Sequence, residues 1–195
     1  MSRVLVVVDA QRDFITGSLE NEMADKTVKN IIEKIKEYVE NNDKVIFTFD
    51  THHENYLDTL EGKNLPIKHC IADTDGWKLD KRIGDYMIIK DEGGYKNYST
   101  VIKETFGSMR VIDAIVEDSK EPDYSDISCV EFVGFCTGIC VISNAILAKA
   151  RLTETDVYVD AACCACVTAE SHDAALKVME ACQIGVTNEG NEPWR

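Results

Sequence analysis

Short apolar runs alternate along the chain with longer segments that have helical periodicity. The apolar runs are rich in β-branched residues, which predicts buried strands over 3–8, 44–49, 86–89, 129–135, 157–160 and 184–187. Apolar residues spaced three and four apart predict helices over 24–40, 109–116, 138–152 and 168–182. This alternation predicts an α/β fold in which a mostly parallel sheet has helices on both faces.

The length of the chain, 195 residues, is typical of one domain with a full core. We find no internal repeat, low-complexity tract or linker, so we expect residues 1–195 to form a single domain. Residues 51–77 show little periodicity and contain Gly62, Pro66 and Gly76. They predict a long functional loop after the second strand.

Charge and composition limit the classes of partner. The net charge of −14 disfavours nucleic acid and anionic membrane surfaces as ligands. No apolar run approaches the ~18 residues that cross a bilayer. The first residues lack the pattern of a signal peptide, so we expect a cytoplasmic protein whose thiols are reduced.

Eight cysteines are many for this length, but their spacing contains no pair of CxxC units, so a structural zinc site is not indicated. Cys163, Cys164 and Cys166 are clustered in a strand-like segment. The simplest interpretation is that most of the eight are small buried apolar residues. A redox role for this cluster is an alternative, and it predicts a reversible disulfide among these three or their neighbours.

Chemistry in parallel sheets gathers beyond the carboxyl ends of the strands. Cys140 follows the fourth strand and a tight turn, which would place it at a helix N-terminus, where N–H groups stabilise a thiolate and an oxyanion. The competing interpretation is a buried thiol in a helix cap. Asp9 follows the first strand and could accept the thiol proton, or it could simply cap a nearby helix.

The long loop has a second group of candidates. Asp50, His52 and His69 offer one carboxylate and two imidazoles, a plausible set for zinc, iron or manganese. Glu61 could be a fourth ligand, and His53 and Glu54 compete for these positions. Solvated loop residues are the alternative, although three of the four histidines lie in this one loop.

Lys103 lies in the segment 102–108. A lysine beside a thiol would lower the pKa of that thiol and stabilise developing negative charge. The alternative is a surface lysine, and Lys90, placed by the pattern at the end of the third strand, competes for the role.

Taken in order, five segments resemble the isochorismatase-like cysteine hydrolases, and within them the nicotinamidases. They are Val7–Phe14, Asp50–His52, Pro66–Cys70, Lys103–Ser108 and Gly134–Val141, within a similarity that runs from about Val4 to Val186. Each segment is weakly specific alone, but the order and spacing are strongly specific. The resemblance implies a three-layer sandwich with a six-stranded, mostly parallel sheet flanked by helices.

The resemblance also implies roles for individual residues. Asp9 would be the general base, Lys103 the supporting cation and Cys140 the nucleophile. A cis peptide at Phe135–Cys136 would aim the N–H of Cys136, with that of Cys140, at the oxyanion.

For the substrate, Phe14 would form an aromatic wall, and Trp77 is a weaker candidate. Asp50, His52, Glu61 and His69 would hold a divalent metal, for which zinc is expected and iron or manganese are alternatives. The implied reaction is hydrolysis of nicotinamide to nicotinate and ammonia, a step of NAD salvage, by a homo-oligomer.

Two departures leave the substrate open. The position two before the cysteine is often acidic in the family, and here it is Gly138. The run 91–98 is also unusual and could reshape the pocket. A related hydrolase of another small amide or a ureido acid, and a binding module without catalysis, are therefore alternatives.

Overall fold

The computed structural model describes residues 2–195, which form a sheet of six strands in the order β3-β2-β1-β4-β5-β6. Every neighbouring pair of strands is parallel. The strands are β1 (Ser2–Val8), β2 (Lys44–Asp50), β3 (Tyr98–Lys103), β4 (Ile127–Phe135), β5 (Asp156–Ala165) and β6 (Gly185–Thr187). The central strands β1, β2 and β4 are apolar on both sides because both faces are covered.

Seven helices cover the sheet and complete three layers. They are α1 (Arg12–Ile15), α2 (Glu22–Glu40), α3 (Leu60–Asn64), α4 (Lys81–Glu92), α5 (Met109–Val116), α6 (Ile142–Arg151) and α7 (Ala169–Ala181). Helices α2 and α4 pack on the face that presents Leu5 and Val7. Helices α5, α6 and α7 pack on the opposite face, against Val4 and Val6. The predicted α/β sandwich with six strands is thus confirmed.

The predicted strand over 86–89 is wrong, because these residues belong to α4. Ile83 and Met87, four residues apart, are buried, whereas Ile88 and Ile89 are 59% and 64% exposed. That spacing is helical, and the apolar run was too short to distinguish the two periods. The third strand is instead Tyr98–Lys103, so Lys103, not Lys90, ends it.

Other boundaries differ from the predicted ones in smaller ways. Strand β5 is ten residues long and extends to Ala165, well beyond the predicted end at Asp160. The segment 51–77 contains a 3₁₀ turn, Tyr56–Asp58, and α3. The predicted helix over 138–152 begins as a π turn, Thr137–Val141, before α6. Within residues 2–195, no helix combines the length and the apolar character needed to span a membrane.

The close pairing of β4 with β1 requires a glycine at position 134. Its φ is +115°, and a Cβ built there would lie 2.1 Å from the carbonyl oxygen of Val8. We expect Gly134→Ala to lower the free energy of unfolding by about 3 kcal/mol, because both the backbone angle and the contact resist a side chain. Urea unfolding measures this.

The matched control is Gly84→Ala in α4, where a Cβ meets nothing within 4 Å. Alanine is the better helix former, so Gly84→Ala should be neutral or stabilising by up to about 1 kcal/mol. Equal losses of stability for the two variants would contradict the argument.

Candidate active site

Four strands bring their chemical groups to one edge of the sheet. Asp9 follows β1, while Asp50 and Lys103 end β2 and β3 and are paired in register. Cys140 lies in the turn after β4, next to β1 in the sheet. Residues up to 131 positions apart in sequence therefore lie close together, as expected at the carboxyl ends of parallel strands.

Lys103 is at the centre of this group. Its Nζ lies 2.7 Å from Oδ2 of Asp9, 3.3 Å from Oδ1 of Asp50 and 3.5 Å from Sγ of Cys140. The side chain is fully buried. Burial alone would lower the pKa of Lys103, but the charges of Asp9 and Asp50 outweigh it and raise the pKa. The lysine is therefore a permanent cation, and the alternative of a surface lysine is excluded.

Asp9 is held in an unusual conformation. Its φ of +47° lies in the left-handed region, which residues other than glycine rarely adopt. The Thr48 hydroxyl donates to Oδ1 of Asp9 at 2.6 Å, and the backbone N–H of Asp9 donates to the same hydroxyl oxygen at 3.0 Å. Burial raises the pKa of Asp9, against the lowering effect of Lys103. The carboxylate is thus fixed in place and disposed to accept a proton.

Cys140 is buried at the bottom of the cavity, in the π turn Thr137–Val141. We expected a lowered thiol pKa here, but burial and the neighbouring Asp9 raise the pKa of Cys140 well above its usual value, against the effect of Lys103. The thiol therefore keeps its proton at rest, beside the carboxylate of Asp9. In this state, ionisation of the sulfur requires transfer of that proton to Asp9.

The expected cis peptide is present between Phe135 and Cys136. Cys136 lines the same cavity as Cys140. The role of their two backbone N–H groups as an oxyanion hole stays a prediction.

Asp50, His52 and His69 form a buried cluster in which one ligand atom of each lies within 4.8 Å of the others. Nε2 of His52 lies 3.1 Å from Oδ2 of Asp50, and Nε2 of His69 lies 3.5 Å from the same oxygen. Nδ1 of His69 is 2.8 Å from the carbonyl oxygen of Ile67, which holds that nitrogen as the donor and leaves Nε2 free to ligate. This donor set fits a divalent metal.

The ionisation state of Asp50 is also the one that a metal ligand requires. Burial by itself would raise the pKa of Asp50, but the neighbouring imidazoles of His52 and His69 and the charge of Lys103 outweigh it and lower the pKa. Asp50 is therefore ionised, and it links the cluster to Lys103.

Glu61, not Glu54 or His53, is the further residue beside this cluster. Oε1 of Glu61 lies 3.5 Å from Nε2 of His52 and 3.9 Å from Nε2 of His69. The Glu54 side chain is 84% exposed and pairs with Lys68. The His53 side chain is 63% exposed and faces Glu104. Of the three candidates, Glu61 is thus the one that lies beside the cluster, and its role as a metal ligand stays a prediction.

A cavity of about 630 Å³ opens above Cys140. Its apolar and aromatic lining includes Phe14, Leu19, Leu65, Phe106, Phe135, Ile139 and Val167. Phe14 lines the cavity, and its ring meets that of His69 edge-on, at 5.6 Å between centroids. Its role as an aromatic wall for the substrate stays a prediction. Trp77 lies outside this cavity. Its ring packs on Phe49, and its indole N–H donates a hydrogen bond to the hydroxyl of Thr51.

Sequence reasoning missed Gln11 as a support of the metal-type cluster. Its amide donates to the carbonyl oxygen of Asp50 at 2.9 Å and accepts from the N–H of Asp50 at 2.8 Å. The signal available was its position, two residues after Asp9 at a strand end.

Asn144, a second missed residue, is buried and fixes the nucleophile turn. Its amide donates to the carbonyl oxygens of Cys140 at 2.8 Å and Phe106 at 3.0 Å, and accepts from the N–H of Ser108 at 3.0 Å. It thus joins the helix after Cys140 to the loop after Lys103. No local sequence signal distinguishes Asn144 from a surface asparagine of an amphipathic helix.

The fold and this site define an α/β sandwich protein with a buried group of ionisable side chains at the carboxyl edge of a parallel sheet. The chain belongs to the isochorismatase family, since the isochorismatase domain matches residues 3–189. No curated protein matches it.

Several solved structures share the fold. A nicotinamidase/pyrazinamidase from Bacillus subtilis superposes with a TM-score of 0.79 at 22% identity, covering 95% of this chain and 99% of the other. A pyrazinamidase of Pyrococcus horikoshii in complex with zinc gives 0.74 at 22% identity, covering 96% and 99%. An N-carbamoylsarcosine amidase from Thermoplasma acidophilum gives 0.72 at 19% identity, covering 95% of each chain.

Proposed function

We propose that this protein hydrolyses the carboxamide of a small neutral aromatic amide, nicotinamide being the first candidate, through a thioester on Cys140. The observation that supports this best is the convergence of Asp9 and Lys103 on the Cys140 thiol beneath an apolar cavity. A nucleophile, a base and a fixed cation at one point are the requirements of acyl transfer.

The chemistry begins with the proton of Cys140. Asp9 accepts it, and the sulfur attacks the carbonyl carbon, which becomes tetrahedral with its negative charge on oxygen. The N–H groups of Cys136 and Cys140 are proposed to hold that oxyanion. Throughout this step Lys103 stays charged and stabilises the negative charge that develops beside it.

Collapse of the tetrahedral intermediate breaks the C–N bond. Asp9 returns its proton to the nitrogen, and ammonia leaves. Water then attacks the thioester while Asp9 accepts a proton from it, and Cys140 recovers that proton as the acid departs. Asn144 and Thr48 take no proton in this scheme, and they hold the turn and the base in position.

A divalent metal, zinc in this proposal, would be held by Asp50, His52 and His69 with Glu61 nearby. When bound, it would supply a Lewis-acid site for a ring nitrogen of the substrate. The Pyrococcus structure named above is a pyrazinamidase in complex with zinc, which supports this assignment.

The cavity lining favours a neutral amide over a ureido acid. The described residues that line it include the acidic side chains of Glu20, Glu22, Asp50 and Glu61 but no lysine or arginine. A carboxylate substrate would meet these negative groups without a free cation to pair with. Hydrolysis of N-carbamoylsarcosine, the substrate named for the Thermoplasma neighbour, is therefore the less favoured function.

Ammonia release from three compounds tests the proposal. The purified protein, supplied with zinc, is assayed with nicotinamide, pyrazinamide and N-carbamoylsarcosine. We expect release from at least one of the two ring amides and little from the ureido acid. Release from the ureido acid alone would overturn the substrate class, and release from none of a wider panel of amides would overturn the hydrolase.

Two adjacent histidines give a matched test of the metal site. We expect His52→Ala to weaken zinc binding by more than about 100-fold, since loss of an outer-shell partner alone costs about 10–100-fold. His53→Ala, which removes an exposed ring outside the cluster, should leave zinc affinity unchanged. Competition of each purified variant with a colorimetric chelator measures the affinities. Equal zinc affinity of the two variants would place the metal elsewhere.

Cytoplasmic location, homo-oligomeric assembly and the organisation of residues 1–195 as one domain stay predictions. Sedimentation of the purified protein tests the assembly, and a single mass of about that of one chain would contradict the oligomer.

A further inference from the structure

Two cysteines outside the proposed catalytic group face each other across adjacent strands. Phe135, the last residue of β4, is paired in register with Ala165, the last residue of β5. Cys136 directly follows Phe135, and Cys166 directly follows Ala165. Neighbouring strands lie about 4.8 Å apart, within the Cα separation of about 4.4–6.8 Å that a disulfide requires. The register thus brings the two cysteines side by side just beyond the ends of β4 and β5.

Their side chains already interact. The Cys136 thiol lies beside the sulfur of Cys166, and the backbone N–H of Gly138 donates to that sulfur at 3.4 Å. The neighbouring Cys136 thiol is the largest cause that lowers the pKa of Cys166 to about 5, and burial opposes it. The pair therefore has one thiolate and one thiol, the arrangement that favours disulfide formation.

Gly138 makes room for this arrangement. A Cβ at position 138 would lie 3.3 Å from the sulfur of Cys166 and 3.4 Å from the carbonyl oxygen of Ser171. The absence of a side chain lets the N–H of Gly138 reach the sulfur. The position that is often acidic in the family is thus occupied here by a glycine that contacts the sulfur of Cys166.

Only a small oxidant can reach the pair. Cys136 lines the cavity, whereas Cys166 is 2% exposed and is not among the lining residues. A peroxide is not much larger than water and can enter by the cavity, while a tripeptide disulfide such as oxidised glutathione is too large to reach Cys166.

We propose that Cys136 and Cys166 form a peroxide-sensitive thiol pair that closes to a disulfide and reversibly inactivates the site. The thiolate of Cys166 attacks hydrogen peroxide, forming an S–O bond as the O–O bond breaks, and the departing hydroxide becomes water with a proton from solvent. The Cys136 thiol gives up its proton, and its sulfur attacks the Cys166 sulfur and displaces the second hydroxide as water. Two thiols and one peroxide give one disulfide and two waters.

The loss of activity follows from the position of Cys136, and this part alone rests on the proposed function. Its N–H is one of the two proposed oxyanion donors, and its side chain forms part of the cavity wall beside Cys140. A bond to Cys166 would move that side chain away from the cavity and change the direction of the N–H.

The bond is tested first, without any substrate. Reduced protein is treated with hydrogen peroxide, alkylated, and cleaved at lysine and arginine, which leaves Cys136 in peptide 121–149 and Cys166 in peptide 152–177. Fragment ions should place the cross-link between Cys136 and Cys166. Absence of the cross-link at peroxide doses that oxidise other thiols, or its equal formation by oxidised glutathione, would overturn the proposal.

Two alanine variants provide the matched comparison. Cys166→Ala should abolish the cross-link, whereas Cys164→Ala, two residues earlier in β5 and in the same peptide, should retain it. Unfolding midpoints of both variants report whether each is folded. A cross-link that persists in folded Cys166→Ala would show that another cysteine is the partner.

Activity is measured last, on whichever amide the parent hydrolyses. Peroxide should inhibit the parent, dithiothreitol should restore most of the activity, and the restored fraction should be much smaller in Cys166→Ala. A cross-linked parent with full activity would remove the regulatory role while leaving the amidase intact. If the untreated parent protein hydrolyses no amide but still forms the cross-link with peroxide, the proposed function is contradicted and the thiol pair is not.

Discussion

Replacement of Cys140 by alanine is expected to reduce amide hydrolysis by about 10⁴-fold or more, the scale seen when a nucleophile of a triad is removed. Alanine leaves Asp9 and Lys103 in place but offers no atom that can bond to the substrate carbon. The rate of ammonia release under saturating amide measures the effect.

The control is Cys182→Ala, which removes an exposed thiol at the end of α7. It should keep the parent rate. If Cys140→Ala turned over substrate at the parent rate, Cys140 would have no covalent role, and water activated elsewhere would have to be the nucleophile.

The second large effect is expected for Lys103→Met, which keeps the length of the side chain but removes its charge. Asp9 and Asp50 would then lie buried without their cation. Breaking a buried pair in this way costs about 3–5 kcal/mol of stability. The rate of hydrolysis should also fall by about 10²–10³-fold, since a fixed charge beside the reacting atoms is lost.

The stability loss should depend on pH in a defined direction. Burial already raises the pKa of Asp9 and Lys103 opposes it, so removing the lysine raises the pKa of Asp9 further. A carboxyl with a raised pKa in the folded state binds its proton more tightly there than in the unfolded chain. The Lys103→Met protein should therefore gain stability as pH falls, and should recover part of it when Asp9→Asn is added.

Lys90→Met is the matched control, because Lys90 lies on α4 and was the competing lysine in the sequence. Urea unfolding should show a change within about 0.5 kcal/mol for this variant. A similarly small change for Lys103→Met at neutral pH would contradict the buried ion group.

The sheet could be predicted from the sequence where β-branched runs are long and bounded by turns. The strand prediction for 86–89 was wrong because four apolar residues fit the period of a helix as well as that of a strand. The third strand of the structure was not predicted because its composition is largely polar. Tyr98–Lys103 lies at the sheet edge, with Thr100 and Ile102 exposed, so it lacks the continuous apolar character of β1. An edge strand gives a weaker signal because only part of it is buried.

The candidate site could be predicted as a set of residue types at strand ends, with the family resemblance supplying their roles. The sequence could not give the environment that sets their charge. The thiol pKa of Cys140 was expected to be lowered by a helix terminus and a lysine, yet burial beside Asp9 dominates. Burial depends on packing from four strands, which no local pattern encodes.

The supporting hydrogen bonds were also beyond local prediction. The hydrogen bonds of three supporting residues, Thr48, Gln11 and Asn144, join positions that are 36 or more residues apart in sequence. The exception is the bond of Asn144 to Cys140. The Cys136–Cys166 contact likewise depends on the register of β4 against β5, which the sequence does not state.

Trapping with hydroxylamine tests the central claim, that Asp9 and Lys103 together make Cys140 a nucleophile that forms a thioester. Hydroxylamine is added during turnover of the amide, and the acid and hydroxamate products are quantified. A thioester predicts that the hydroxamate share rises with hydroxylamine concentration, with neither product formed by Cys140→Ala. Continued ammonia release with acid as the sole product at every hydroxylamine concentration would contradict the account.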